Sequence, residues 1–349
     1  MFPDLAVIQG NYLRDILGQP QALEDTLRGL EGLDQLRDLA RRVRKGRFER
    51  ILLTGMGSSF HALHPLNLQL VGHGLTALMV ETSELVHYKS RLFDPKTLII
   101  AVSQSGRSAE VIRLLKTNRK RSALLAVTNT PDSPLARQAD AAALTRAGHE
   151  YSVSCKTYVT ALMALKWIGD ILCERDLRRT HRELKQAASA VSAYLLGWEG
   201  HVQSLSSELK GIGQLFFVGR GASLAAVGTG GLIVKESDHF DAEGMSSAAF
   251  RHGPFEMLSG QTFVLVFSGN AKTRSLNRKL LEDIRQHGGR AEWLGKDGSL
   301  AAFRVPATAS SIQPILEILP VQMITLALAA QLGREPGRFD LTSKVTTAE

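Results

Sequence analysis

Short, continuously apolar runs that end in turns of glycine and hydroxyl residues, each followed by a helix-periodic stretch, recur along this chain from residue 50 onward. Runs without in-and-out alternation suit strands buried on both faces, and parallel strands need the long crossovers that intervening helices supply. The expected fold is therefore α/β: two similar lobes, each a parallel sheet sandwiched between helices. A length of 349 residues fits two such lobes better than one.

The pattern divides the chain into four parts. Residues 1–45 form a helical segment in which Leu23, Leu27, Leu30, Leu33, Leu36 and Leu39 recur at near-helical spacing. Residues 46–182 form the first lobe, with strands at Arg50–Thr54, Leu75–Val80, Thr97–Val102, Ala123–Val127 and Ala141–Thr145, a helix over Phe60–Leu70 and an exposed charged stretch over 175–182. A linking helix spans 183–207. Residues 208–349 form the second lobe, with strands at Leu215–Val218, Thr262–Phe267, Ala291–Leu294 and Ala301–Val305, a closing helix over Pro314–Leu332 and a polar tail.

Several function classes drop out. The formal charge is +8, and Arg41, Arg42, Arg44, Lys45, Arg47 and Arg50 form a basic run, yet neither zinc-finger spacing nor an aromatic-rich RNA motif accompanies it. The run is expected to be a solvated face, and nucleic acid is not an expected partner. Cys155 and Cys173 show no metal-ligand spacing and are expected to be reduced core residues. The N-terminus lacks a basic-then-apolar leader, and no window of 18 uncharged apolar residues occurs, so no membrane partner and a cytoplasmic location are expected. Gly55 and Gly57 do not make a dinucleotide fingerprint, because Phe60 stands where the third glycine belongs, and no P-loop motif is present.

The turn Ser103-Gln104-Ser105-Gly106-Arg107-Ser108 carries a more specific chemistry. A phosphate needs several donors converging on one point, and a turn between a parallel strand and a helix supplies backbone N–H groups and the positive end of the helix. Ser103, Ser105 and Ser108 add hydroxyls, Gly106 lets the backbone come close, and Ser58 and Ser59 occupy the matching turn after the neighbouring strand. Serine and glycine also populate ordinary turns and caps; two such clusters in one lobe favour phosphate. The second lobe has Ser268-Gly269-Asn270 at its corresponding turn, so one phosphate pocket is expected, with the second lobe supplying reactive groups.

The segments Lys235-Glu236, Ala242-Glu243-Gly244-Met245-Ser246-Ser247-Ala248-Ala249-Phe250-Arg251-His252-Gly253-Pro254 and Ser343-Lys344-Val345-Thr346-Thr347-Ala348-Glu349, together with Ser103-Gln104-Ser105-Gly106, resemble the sugar isomerase (SIS) family. The likeness is to the isomerase half of glucosamine-6-phosphate synthase and runs from about residue 45 to the end. It implies two α/β lobes, a homodimer with shared active sites, and substrate contacts from Ser58, Ser59, Ser103, Gln104, Ser105 and Ser108. It further implies that Glu236 shifts a proton between C1 and C2, that His252 assists ring opening from the partner subunit, and that Lys344 belongs to a catalytic C-terminal loop.

The sequence departs from the synthase at Ile233, where that enzyme has a lysine, and at Thr229, where it has an acid. The chain also opens on the helical segment without a preceding amidotransferase domain, so glutamine is not the expected nitrogen donor. The implied reaction converts a 2-amino-2-deoxyaldose 6-phosphate to a ketose 6-phosphate with release of ammonia, a proton transfer that calls for neither a metal nor a redox cofactor. A fructosyl-amino-acid 6-phosphate deglycase and a non-catalytic sugar-phosphate sensor are the alternatives.

Overall fold

A computed structural model of the chain describes residues 5–31, 34–341 and 344. Leu33 of the leucine series, and Ser343 and Val345–Glu349 of the tail motif, lie outside the described residues. The chain folds into two compact units, one built from Gln21–Glu150, Lys156–Gln186 and Leu341–Glu349, the other from Met1–Pro20, Tyr151–Cys155 and Ala187–Asp340.

The first unit holds five parallel strands: β1 (Arg50–Gly55), β2 (Ala77–Glu81), β3 (Thr97–Val102), β4 (Ala123–Thr128) and β5 (Ala141–Leu144), in the order β2-β1-β3-β4-β5. Every residue of β3 and β4 is buried, which is why these runs are apolar apart from a threonine at one end of each. The helices that place the site are α1 (Gly57–His61), directly after β1, α2 (Ala109–Asn118), after the turn that follows β3, and α3 (Lys156–Leu172). Val111 and Leu114 of α2 pack with Leu52, Ile99 and Leu124 on one face of the sheet. α3 is buried along nearly its whole length, and inside the unit its Lys166 pairs with Asp170 one turn on.

The second unit holds four parallel strands: β6 (Gln214–Gly219), β7 (Ala242–Ser246), β8 (Thr262–Phe267) and β9 (Arg290–Leu294), in the order β7-β6-β8-β9. This repeats the order of β2-β1-β3-β4. Its helices include α4 (Leu224–Asp238), α5 (Ser247–Arg251), α6 (Arg274–Gln286) and α7 (Gln313–Leu332). By length and composition α7 could cross a membrane, yet 89% of its apolar window is buried, and the helix packs against α4. Two parallel sheets, each flanked by helices, are thus what the apolar runs produce.

Some elements differ from the sequence expectation. Ala301–Val305 is not a strand: a single 3-10 turn covers Ala301–Phe303, with one bridge between Gly295 and Arg304, because Pro306 follows and offers no N–H to extend a ladder. The helix expected over Phe60–Leu70 is broken into α1 and a second helix, His64–Gly72, which opens on Pro65. The charged stretch 175–182 is largely the first turn and a half of a helix, Leu177–Leu195, and its Thr180 is buried, hydrogen-bonded to Asp170. The run over 183–207 spans most of that helix and a second, Trp198–Glu208. Cys155 and Cys173 are buried and are not joined in a disulfide.

Candidate functional site

In the first unit the chain leaves β1 for β2 on one side and returns to β3 on the other, so connections part company above the β1/β3 boundary. Open parallel sheets take their ligands at such a switch point, beyond the carboxyl ends of the strands. Both hydroxyl-bearing turns lie there. Ser58 and Ser59 sit half-buried at the start of α1, and the Ser58 Oγ is buried without a hydrogen-bond partner among protein atoms. A buried hydroxyl left unsatisfied costs about 1–3 kcal/mol, so such an atom calls for a functional account.

The turn after β3 is held together by its own hydroxyls. Ser103 Oγ accepts the Gly106 N–H at 3.1 Å, and Ser105 Oγ accepts the Arg107 N–H at 3.3 Å. Each hydroxyl keeps its hydrogen to donate. Ser108 is the N-cap of α2, but its hydroxyl makes no cap bond, so it too is uncommitted at the positive end of a helix. The Gln104 carbonyl accepts from Thr128 Oγ1 at 3.2 Å, Thr130 Oγ1 at 3.3 Å and the Asn129 N–H at 3.1 Å, which clamps the turn to the end of β4. Gly106 has φ +60°, and a Cβ there would stand 2.3 Å from the Ser133 Oγ, so both backbone and space require glycine.

Lys344 belongs to the same unit, and its Nζ donates to Glu150 Oε2 at 2.8 Å. The Glu150 side chain is only 1% exposed and also accepts the Thr157 N–H at 3.0 Å and the Thr157 hydroxyl at 2.7 Å. Lys344 is therefore fastened to a buried carboxylate rather than dissolved in solvent. Glu150, Thr128 and Thr130 carry no sequence signal of this supporting role, since each depends on a partner distant in sequence or on a backbone carbonyl.

Glu236 and His252 belong to the other unit. Glu236 lies half-buried in the last turn of α4, and its neighbour Lys235 pairs with Glu243 of β7 at 3.2 Å. A Cβ at Gly244 would lie 2.0 Å from the Val227 carbonyl oxygen, so glycine lets α4 and β7 touch backbone to backbone. That contact explains the glycine of Ala242-Glu243-Gly244 and fixes the helix carrying Glu236. Burial, then the charge of Cys155, and after these Asp238 and Glu236, hold the Tyr12 hydroxyl well above its ordinary pKa against a hydrogen bond from Thr325. His252 follows α5, which Ser246 caps through the Ala249 N–H at 3.1 Å, while Arg251 binds Asp283 of α6 at 2.6 Å. These bonds leave the His252 side chain exposed.

A further acid in this unit went unnoticed in the sequence because it interrupts an apolar helix. Glu317 of α7 is fully buried, accepts the Ser223 hydroxyl at 2.9 Å through one oxygen and has no partner for the other. Burial pushes its carboxyl from an ordinary 4.5 up to about 7, the Ser223 bond opposing. The unfolded chain releases this proton near 4.5 and the folded chain near 7, so the stability the neutral acid allows is complete below 4.5 and is lost as pH rises to about 7. Glu317→Gln keeps the neutral shape at every pH. It is expected to stabilise the protein at pH 8 by roughly 3 kcal/mol, the gain fading toward pH 4.5. Denaturant titrations at both pH values check this; an equal effect at each would contradict the burial argument.

Comparison with known proteins bears on this arrangement. Residues 47–168 match the SIS domain family, a span that covers β1 to β5 and both hydroxyl turns. A glutamine–fructose-6-phosphate aminotransferase (isomerizing) of Thermococcus kodakarensis is 28% identical over 358 residues, covering 97% of this chain and 58% of the relative. The chain thus spans a little over half the length of the curated relatives it matches. The C-terminal domain of glucosamine-fructose-6-phosphate aminotransferase from Francisella tularensis superposes with a TM-score of 0.84 at 22% identity, covering 95% of this chain and 98% of that one. Glucosamine-6-phosphate deaminase from Thermotoga maritima does so with 0.79 at 16% identity, over 97% of this chain and 100% of the other. These last two likenesses are of fold. The hydroxyl turns at the sheet's switch point thus lie inside the span, residues 47–168, that matches the SIS domain family.

Proposed function

We propose that this protein is an aminosugar-phosphate isomerase/deaminase, which converts a 2-amino-2-deoxyaldose 6-phosphate to the ketose 6-phosphate and ammonia. The observation that carries the proposal is the pair of serine turns beside the β1/β3 switch point, whose hydroxyl hydrogens remain to be donated. Neutral donors converging near a helix N-terminus suit a phosphate ester. The relatives named for fructose 6-phosphate and for glucosamine-6-phosphate deamination support the sugar class.

The chemistry follows from the residues. Once the sugar ring is open, Glu236 takes the proton from C2, and the electron pair moves to give an enolamine across C1 and C2. Returning the proton at C1 leaves an imine at C2, which water hydrolyses to the ketose with loss of ammonia. The step needs a base near both carbons and no change of oxidation state overall. His252 assists ring opening. Its exposure is what a residue reaching a neighbouring subunit's site requires, and it supports a homodimer in which His252 of the partner subunit completes each site. Lys344, held on Glu150, stands in the same unit as the serine turns.

Incubation with aminosugar 6-phosphates and fructosyl-amino-acid 6-phosphates, with and without glutamine, tests the assignment. Ammonia and ketose phosphate from an aminosugar phosphate alone are expected. Release of free amino acid would make the protein a deglycase, a requirement for glutamine would make it a synthase component, and binding without any turnover would make it a sensor.

A further inference from the structure

The turns that follow β6, β8 and β9 gather at the corresponding switch point of the second sheet, between β6 and β8. They border a cleft of about 370 Å³ whose charged lining is Arg220, Arg274 and Lys296, with Ser223, Ser268 and Asn270 among its polar groups. None of the residues lining it is an aspartate or glutamate. Arg220 is fixed at its stem: its Nε donates to Asn277 Oδ1 at 3.1 Å, and the fully buried Asn277 donates in turn to the Phe267 carbonyl at 2.9 Å. Among the described residues no carboxylate pairs with Arg220, so the outer two nitrogens of a half-buried guanidinium keep their donors.

The surrounding charge is also unbalanced toward positive. Asp297 is shared by Arg274 and Arg278, each at 2.9 Å, and Lys296 stands exposed beside it. Beneath the cleft Glu317 takes up the Ser223 hydroxyl, and burial keeps it largely protonated below a pH of about 7, so it opposes an anion little there. A planar guanidinium with two parallel N–H donors matches two oxygens of a phosphate, and an uncompensated charge in a concave site raises the local concentration of anions.

We propose that this cleft binds a small phosphomonoester anion, with Arg220 as its anchoring donor, as a ligand site separate from the serine turns of the first sheet. It achieves with cationic side chains what those turns achieve with hydroxyls. The proposal stands on the second unit alone and survives or fails independently of the deaminase chemistry.

Calorimetric titration of the intact protein with inorganic phosphate at pH 6.5 and low salt is expected to give two classes of site per chain. Arg220→Gln should weaken one class by roughly tenfold to a hundredfold, as for loss of a charge-assisted bond, and leave the other unchanged. Ser103→Ala with Ser105→Ala should do the reverse. Lys296→Glu, an exposed substitution, serves if Arg220→Gln does not fold by its melting curve, and should weaken the same class by at least about tenfold. No phosphate binding in the wild type, or a folded Arg220→Gln protein with an unaltered isotherm, overturns the proposal, whereas a single class of site that Arg220→Gln weakens would sustain it and count against the serine turns instead. So does an unaltered isotherm for Lys296→Glu where that variant decides the matter.

Discussion

Glu236→Gln is expected to bind the sugar phosphate as tightly as the wild type while losing turnover by about a thousandfold, in line with the removal of a positioned general base. The substitution preserves the length and shape of the side chain. It keeps α4 in place, because that helix is set by its backbone contact with β7 at Gly244 and by the Lys235–Glu243 pair. Proton NMR in deuterated water supplies the decisive readout: the wild type should exchange the transferred hydrogen between C1 and C2 with solvent, and the variant should not. Exchange in Glu236→Gln at the wild-type rate would remove Glu236 from the chemistry even if the protein proved to be a deaminase.

Ser103→Ala combined with Ser105→Ala should cost the phosphorylated sugar about a hundredfold in affinity or more, as expected for two hydrogen bonds to a charged group. Binding of the same sugar without its phosphate should change little. The double variant also loses the acceptors for the Gly106 and Arg107 N–H groups, so part of the loss comes from a looser turn. Ser103→Thr with Ser105→Thr retains both hydroxyls and should recover affinity if these oxygens contact phosphate. Calorimetry with the sugar and its 6-phosphate separates the cases, and an equal loss for both ligands would refute phosphate anchoring.

Strands buried on both faces are legible because their interiors are continuously apolar: Thr97–Val102 and Thr262–Phe267 have the bounds that the sequence predicts. β7 is not, since Ala242–Ser246 contains a charge, a glycine and a serine and only five residues. Its place in the sheet comes from pairing with β6 along its whole length, a long-range fact that no local pattern carries. The serine turns are legible because two hydroxyl clusters follow neighbouring buried strands of one lobe. Their supports are not: the Gln104 carbonyl is held by Thr128 and Thr130 from the next strand, and Glu150 meets a lysine 194 residues away. The cleft around Arg220 escaped notice for a different reason. It has no serine cluster, and its cations come from three separate turns that only the sheet order brings together.

The hydroxyls of Ser103 and Ser105 are neutral at every physiological pH, and this separates capture from retention. Attraction of an anion from a distance depends on the net charge of +8, which salt screens over about 8 Å at physiological ionic strength. In the proposed site the grip on a phosphate would rest instead on short donors already oriented by the backbone amides they accept. On that proposal, ions in solution are expected to slow the arrival of substrate without loosening it once seated, and a product that keeps its phosphate is expected to leave only when water replaces those donors one by one.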